Sequence, residues 1–156
     1  MRRKTIFYAA LALTALLLTT GCYKGAAHPW KGKTYETISK EDGFRIRGGD
    51  PRTEGLDYII YILKHDTADM PGKAAFMKKD SARVVDVLDI AFVRGEIFYV
   101  VENGVDEKTG LKSQYLVRKR YFPESDTSEP IELWRYNDKA GRVEHFEMSE
   151  NFKFGL

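Results

Sequence analysis

The chain has 156 residues, of which 43% are hydrophobic and 13% are aromatic. That length fits one domain with a single modest core, and the composition excludes a disordered protein. The formal net charge of only +2 gives no overall electrostatic field that would draw the chain onto nucleic acid, so we expect no nucleic-acid partner.

The first residues form the clearest pattern of the sequence. A basic start at residues 1–4 precedes an apolar run of 13 residues, 6–18, that only Thr14 interrupts. The run is shorter than the roughly 20 residues that a membrane-spanning helix needs. It has the length of the apolar part of a signal peptide, which is about 7–15 residues.

The residues that follow this run are Thr19, Thr20, Gly21 and Cys22. They resemble the lipobox of bacterial lipoproteins, in which a small residue precedes an invariant cysteine, although Thr19 stands where Leu is usual. The resemblance covers only residues 1–22. It implies that a lipoprotein signal peptide, residues 1–21, is removed and that the sulfur of Cys22 carries lipid, which anchors the chain to a membrane.

The residues around this junction bear on lipidation and on location. Cys22 is the only cysteine, which excludes an intramolecular disulfide and a cysteine-based metal cluster. Lipid attachment accounts for an unpaired thiol; the alternative is an ordinary secretory signal that a cysteine follows by chance. Because Tyr23 rather than Asp comes next, the resemblance implies the outer membrane, on its periplasmic side, while the inner membrane and surface exposure stay open.

Removal of the signal peptide leaves 135 residues with 22 basic and 23 acidic side chains, a net charge of −1. Residues 22–33 contain Gly and Pro and predict a flexible tether, in which Trp30 would lie at the lipid headgroups. Residues 34–156 are interpreted as a single globular β-rich domain.

The first half of this domain predicts short strands at residues 33–38 and 44–47. Residues 56–63 fit a helical face, but their three Ile and two Tyr, apolar on both alternating faces, favour a central strand. A weak pattern at residues 71–80 suggests a short helix.

The second half has regularly spaced β-branched and aromatic segments. We predict a hairpin of residues 84–93 with 96–101, a polar loop at 103–110, a strand at 114–122, and a hairpin of 131–136 with 142–148. These six or seven strands indicate a mainly β fold: a small antiparallel β-barrel or sandwich with at most one or two short helices.

Two groups of side chains have the types that bind transition metals: His65 with Asp66 and Asp69, and His145 with Glu144 and Glu147. The first group is interpreted as a solvated loop. The second is interpreted as surface charge on a strand edge, with Glu144 on the opposite face from the other two. We therefore expect no metal site and no cofactor.

No residue is predicted to be catalytic. Asp86 and Asp89 would lie on opposite faces of a strand, whereas a carboxylate pair for glycoside cleavage has to share a cleft. The chain has no Gly-x-Ser-x-Gly elbow, no phosphate loop and no dinucleotide-binding glycine pattern. We expect a protein that is not an enzyme.

Contact with a partner is the remaining mode of action. Arg118, Lys119 and Arg120 form one basic cluster, interpreted as a solvated strand edge, with contact to an acidic partner or to lipopolysaccharide phosphate as the alternative. Aromatic and Arg side chains dominate binding hot spots, although most aromatic residues here must belong to the core. The first candidates for partner-binding residues are Trp134, Tyr136 and Arg118.

These observations predict a membrane-anchored lipoprotein that faces the periplasm and binds a protein partner of the envelope without catalysis. The protein would be of the inhibitor, immunity or exclusion type, which blocks an incoming protein. The alternative is a structural accessory of an outer-membrane or envelope complex, and a hydrolase is the third choice.

The first test concerns Cys22. Radiolabelled palmitate should enter the wild-type protein and not the Cys22→Ser variant, because only the cysteine sulfur can start the lipidation that the junction implies. Equal labelling of both proteins, or a mature N terminus at another residue, would end the lipoprotein interpretation.

Overall fold

The computed structural model describes residues 30–41, 45–48, 55–64, 72–91 and 95–155. Several predicted residues lie outside these ranges, namely Cys22, His65, Asp66 and Asp69.

The described residues contain one short helix and nine strands: α1 (Tyr35–Glu41), β1 (Arg45–Gly48), β2 (Tyr58–Lys64), β3 (Gly72–Lys78), β4 (Arg83–Ile90), β5 (Ile97–Asp106), β6 (Leu111–Phe122), β7 (Thr127–Asn137), β8 (Arg142–Glu147) and β9 (Phe152–Phe154). The strands form two antiparallel sheets. Sheet A has the order β1-β2-β3-β4, and sheet B has the order β8-β7-β6-β5-β9. The predicted mainly β, sandwich-like class with few helices is confirmed. No helix in this part of the chain has the length and apolar character to cross a membrane.

The strand interpretation of residues 56–63 is confirmed by β2. This strand pairs with β1 on one side and with β3 on the other. Ile60 and Ile62 pack between the two sheets, whereas Leu63 packs on the opposite face of sheet A. Burial on both faces explains why the segment is apolar at successive positions, a pattern that a half-exposed strand would not need.

Two local predictions are wrong. Residues 33–38, predicted as a strand, contribute instead to α1, because Thr34 caps the helix by accepting a hydrogen bond from the Thr37 N–H (3.4 Å). Residues 71–80, predicted as a helix, contain β3. Their period is two: Ala74 faces the space between the sheets, and Ala75 faces the other side of sheet A.

The predicted hairpin of residues 84–93 with 96–101 is also wrong. β4 pairs with β3 in sheet A, whereas β5 pairs with β6 and β9 in sheet B. A turn at Gly95, with φ of 78°, does precede β5, but the strands before and after it belong to different sheets. The polar loop predicted at 103–110 is shorter than expected, because β5 continues to Asp106.

The strands of the two sheets cross. The Tyr58 ring of β2 packs against the Tyr136 ring of β7 at a tilt of 46°, while Ile60, two residues further along β2, donates its N–H to Gln114 Oε1 of β6 (2.9 Å). At the open side, the Val143 N–H of the edge strand β8 donates to Asp86 Oδ2 of the edge strand β4 (3.0 Å). Two polar contacts therefore fix how the sheets lie across the apolar layer between them.

Each sheet also has a covered outer face. On sheet A, Trp30 and Ile38 pack against the side chains of Leu63, Ala75, Met77 and Val84. Trp30 is buried, with 6% exposure, so the prediction that it lies at the lipid headgroups is wrong. The segment before α1 is held along β4, where the Val84 N–H donates to the Lys33 carbonyl (2.9 Å).

The C-terminal strand β9 pairs with β5 at Gly104, and its phenylalanine side chains cover the outer face of sheet B. A Cβ at Gly104 would lie 2.7 Å from the Lys153 carbonyl oxygen and 2.7 Å from the Phe154 ring. Phe152 and Phe154 both pack edge-on against Tyr115. The missing side chain at residue 104 is what lets β9 approach.

Trp30→Ala should lower the free energy of unfolding by about 3–5 kcal/mol, because truncation of a buried Trp leaves a cavity in the core. The matched control is Leu111→Ala, which removes an apolar side chain that is 46% exposed. That change should cost less than about 0.5 kcal/mol. Urea unfolding of both variants is the measurement, and similar small losses would contradict the position of Trp30.

Candidate functional site

The three predicted partner-binding residues share one face of sheet B. Arg118 of β6 lies opposite Glu132 of β7, and Trp134 and Tyr136 follow Glu132 at intervals of two residues. Because side chains alternate along a strand, Arg118, Trp134 and Tyr136 all point to the side on which sheet A packs. The structure nevertheless places them in two different surroundings.

Trp134 is the centre of a partly exposed cluster. Its ring lies 6.0 Å from the Tyr99 ring on the core side and 5.1 Å from the His145 ring towards solvent, centroid to centroid. Arg118 Nη1 donates to Glu132 Oε2 (3.0 Å), and His145 Nε2 is 3.9 Å from Glu132 Oε1. We call these five residues the Trp134 surface.

Exposure increases across this surface from the core outward. Tyr99 is only 9% exposed. The Arg118 and Glu132 side chains are each 31% exposed, and that of His145 is 49% exposed. Burial raises the pKa of Tyr99 and the Glu132 charge adds to this, while Arg118 and a hydrogen bond with the Ala91 backbone act in the opposite direction. The phenol therefore stays neutral and serves as a fixed support beneath Trp134.

Tyr136 lies elsewhere, at the start of β2. Its ring is 4.7 Å from that of Tyr58, whose hydroxyl donates to Asp138 Oδ1. Burial raises the pKa of Tyr136, and the negative charges of Asp138 and Asp86 raise it further. Tyr136 thus packs against Tyr58 rather than against the Trp134 surface, although only one residue separates it from Trp134 along β7.

The basic cluster is divided between two faces. Arg118 pairs with Glu132 of β7, whereas Lys119 pairs with Glu102 of β5 (2.5 Å). The interpretation of this segment as a strand edge is wrong, because β6 is the central strand of sheet B and has a neighbour on each side. The charges of Arg118 and Lys119 are therefore balanced by cross-strand partners.

The candidate acid–base groups have structural partners. Asp86 accepts hydrogen bonds from the N–H groups of Val87 and Val143, and Asp89 pairs with Lys73. Glu144 accepts from the Asn137 side chain (2.8 Å), away from His145. Within the described ranges, no three His, Cys, Asp or Glu side chains come together as a metal site.

A buried ion pair lies on the outer face of sheet B. Arg135 Nη1 is 3.3 Å from Asp106 Oδ2 and 3.3 Å from the Tyr115 hydroxyl, which it can reach as a donor. The guanidinium also lies over the Phe146 ring, 4.7 Å from its centroid. All of these groups are enclosed by the aromatic side chains that cover this face, so the pair organises packing and is remote from the Trp134 surface.

Asp106 is held in its charged form. Burial opposes ionisation, but hydrogen bonds from Thr109 and from the Lys108 N–H, together with the Arg135 charge, lower the pKa of Asp106 below its usual value. A carboxylate with a lowered pKa in the folded state stabilises the fold above the unfolded pKa, near 3.8. That stabilisation is lost as the pH falls through the lower folded pKa.

Comparison of the chain with protein-family models, with curated protein sequences and with solved structures finds no match.

The sequence missed the neighbours that complete the Trp134 surface. Glu132 is not among the predicted partner-binding residues, and the sequence predicts for His145 only a role as metal ligand or as charge on a strand edge. One signal was present, the alternation of Glu132, Trp134 and Tyr136 along β7. Tyr99 could not be found in this way, because it comes from β5, two strands away from β7.

Asp106→Asn should lower the free energy of unfolding by about 3–5 kcal/mol at pH 7, because the Arg135 charge is left buried without its partner. The difference from wild type should shrink as the pH falls below the unfolded pKa of 3.8 and through the lower folded pKa, where the wild-type carboxyl is also protonated. Urea unfolding at several pH values measures this. Asp80→Asn, at an exposed turn, is the control, and a wild-type advantage that persists unchanged at acid pH would contradict the assignment.

Proposed function

We propose that the protein is a lipoprotein, anchored through lipid on Cys22 to the periplasmic side of the outer membrane, that binds a protein partner through the Trp134 surface without catalysis. The observation that carries the proposal is a half-buried Trp between Tyr99 and His145, beside the Arg118–Glu132 pair. Trp, Tyr and Arg are the residues that most often dominate binding energy at protein interfaces.

The position of Trp134 supports binding because little order has to be gained on association. Tyr99 and the apolar layer between the sheets fix the indole from below. An anchor that is already immobile loses less conformational entropy when a partner covers it. Burial of its remaining exposed surface would then contribute directly to affinity.

The charges around Trp134 support recognition of a partner that carries both signs. Glu132 lies between Arg118 and His145, so the surface presents a guanidinium, a carboxylate and an imidazole within one short row. Such a row favours partners with complementary groups and rejects those with like charges in register. His145 and Glu132 have the residue types of an acid–base pair, but within the described residues they contact Arg118, Trp134 and each other rather than a serine, threonine or cysteine.

Lipid anchoring supports the same mode of action. A domain confined to a membrane surface is concentrated near every partner in that membrane, so a modest interface can hold a resident or arriving protein. This argument applies to both candidate classes. An inhibitor, immunity or exclusion protein would bind one incoming protein, and a structural accessory would bind a resident envelope complex.

Affinity capture from the protein's own cells after crosslinking tests the proposal. The tagged wild type should retain a defined protein, while Trp134→Ala and Arg118→Ala should weaken its binding by more than about 1 kcal/mol each. The matched controls are Leu111→Ala and Lys112→Ala, which remove an apolar and a basic side chain from another part of the surface. Thermal unfolding confirms that each variant is folded.

The identity of the captured protein separates the alternatives. A single soluble protein favours the inhibitor class, and resident membrane proteins together with envelope defects on deletion favour the accessory class. A His145→Ala variant that binds its partner normally and has lost all function would favour the hydrolase. If the wild type, Trp134→Ala and Arg118→Ala capture the partner equally well, the Trp134 surface is excluded as the binding site.

A further inference from the structure

A small groove with a positive lining opens beside the first described residues. Its volume is about 330 Å³, and its charged lining residues are Lys31, Lys78 and Arg83. Gly32, two valines and Tyr136 complete the lining, which contains no acidic residue. A groove of this size suits a small polar group rather than a large ligand.

Backbone pairing brings the three basic side chains together. Lys78 of β3 and Arg83 of β4 lie opposite each other in the register of sheet A. The Gly32 N–H donates to the Val84 carbonyl (2.9 Å), which holds the segment containing Lys31 along β4. Gly32 has a φ of +88°, and a Cβ there would be 3.9 Å from Arg83 Nη2, so the guanidinium lies beside this backbone.

The groove has more positive than negative charge. Lys31 Nζ is 3.8 Å from Asp86 Oδ1, but Asp86 already accepts hydrogen bonds from two backbone N–H groups. Lys78 and Arg83 are exposed and form no ion pair with any other described residue. The neighbouring cleft shares Lys78 but is also lined by three aspartates, so the surplus positive charge is confined to the groove.

The groove is close to the proposed anchor along the chain. Lys31 is nine residues after Cys22, a separation that even a fully extended chain limits to about 30 Å. Tyr136 adds an amphipathic ring, a side chain favoured at the interface between membrane and water. The basic side chains are therefore within reach of the headgroups around a lipid attached to Cys22.

We propose that this groove docks the phosphate headgroup of an anionic phospholipid in the membrane that holds the chain. The proposal rests on the proposed anchoring at Cys22, and it adds a second, non-covalent contact that orients the domain. Because the chain from Cys22 onward has a net charge of −1, no global attraction to an anionic surface can replace the groove. An acidic segment of a protein would carry the same negative charge as a lipid headgroup. The short distance between the groove and Cys22 favours the lipid as the occupant.

Co-sedimentation with vesicles tests the groove independently of the anchor. The protein is residues 22–156 with Cys22→Ser, which keeps every described residue and cannot carry lipid on the cysteine sulfur. The vesicles contain phosphatidylcholine alone or an equal mixture of phosphatidylcholine and phosphatidylglycerol. Binding is expected only to the mixture, and it should weaken as salt is added.

Charge variants locate the contact. Each basic side chain near an anionic surface strengthens binding about fivefold, so Lys78→Gln with Arg83→Gln should weaken binding to the mixed vesicles about 25-fold. The control is Lys108→Gln with Lys112→Gln, which removes the same charge from exposed residues without ion pairs among the described residues. The control should change binding by less than about threefold.

Three outcomes would overturn the proposal: no binding to the mixed vesicles, equal loss in both double variants, or equal binding to both vesicle types. A different result would identify another occupant. If the protein does not bind vesicles, and the Lys78→Gln with Arg83→Gln variant no longer captures an acidic protein that the wild type captures, the occupant of the groove is that protein. None of these results changes the expectations for Cys22 labelling or for the Trp134 surface, because the experiment uses neither.

Discussion

The apolar layer between the crossed sheets determines where every other feature lies. Ile60, Phe76 and Leu116 form its centre. The hydrogen bonds that Gln114 accepts from β2 and that Asp86 accepts from β8 fix how one sheet lies across the other. Sheets that cross leave part of each facing surface at the rim of the core. Trp134 packs against this layer and still reaches solvent, so the same constraint that holds the sheets together also creates the candidate binding surface.

The sequence was informative where burial or turn geometry acts locally. β2 was predicted because both of its faces are apolar, and the β7–β8 hairpin because a short polar connection joins two β-rich segments. The errors occurred where distant partners decide. β3 forms a strand because β2 and β4 flank it, and its alternating Ala74 and Ala75 carry a weak signal of either period. β4 and β5 are adjacent in the chain yet belong to different sheets, a choice made by long-range pairing.

The residue types of the candidate site were predictable from the sequence, but the contacts between those residues were not. Trp134, Tyr136 and Arg118 were chosen because such side chains dominate interfaces. Which of them act together depends on the register between β6 and β7, and that register shifts at a bulge between Arg118 and Lys119. A shift of one residue exchanges the faces of a strand, so the Arg118–Glu132 pairing cannot be deduced from spacing alone. Ordinary alternation along β6 places Arg118 and Lys119 on opposite faces and divides a basic cluster that looks continuous in the sequence.

The close approach of β9 to Gly104 has a consequence for how the sequence can diverge. Gly104 is required by contact distance, since the Lys153 carbonyl occupies the place of any side chain, and not by an unusual backbone angle. A substitution there cannot be compensated by smaller side chains at residues 153 and 154 alone, because one of the obstructing atoms, the Lys153 carbonyl oxygen, belongs to the main chain. Residues 104 and 152–154 are therefore expected to vary as one unit, and a homologue that loses this glycine should also have lost or moved its last strand.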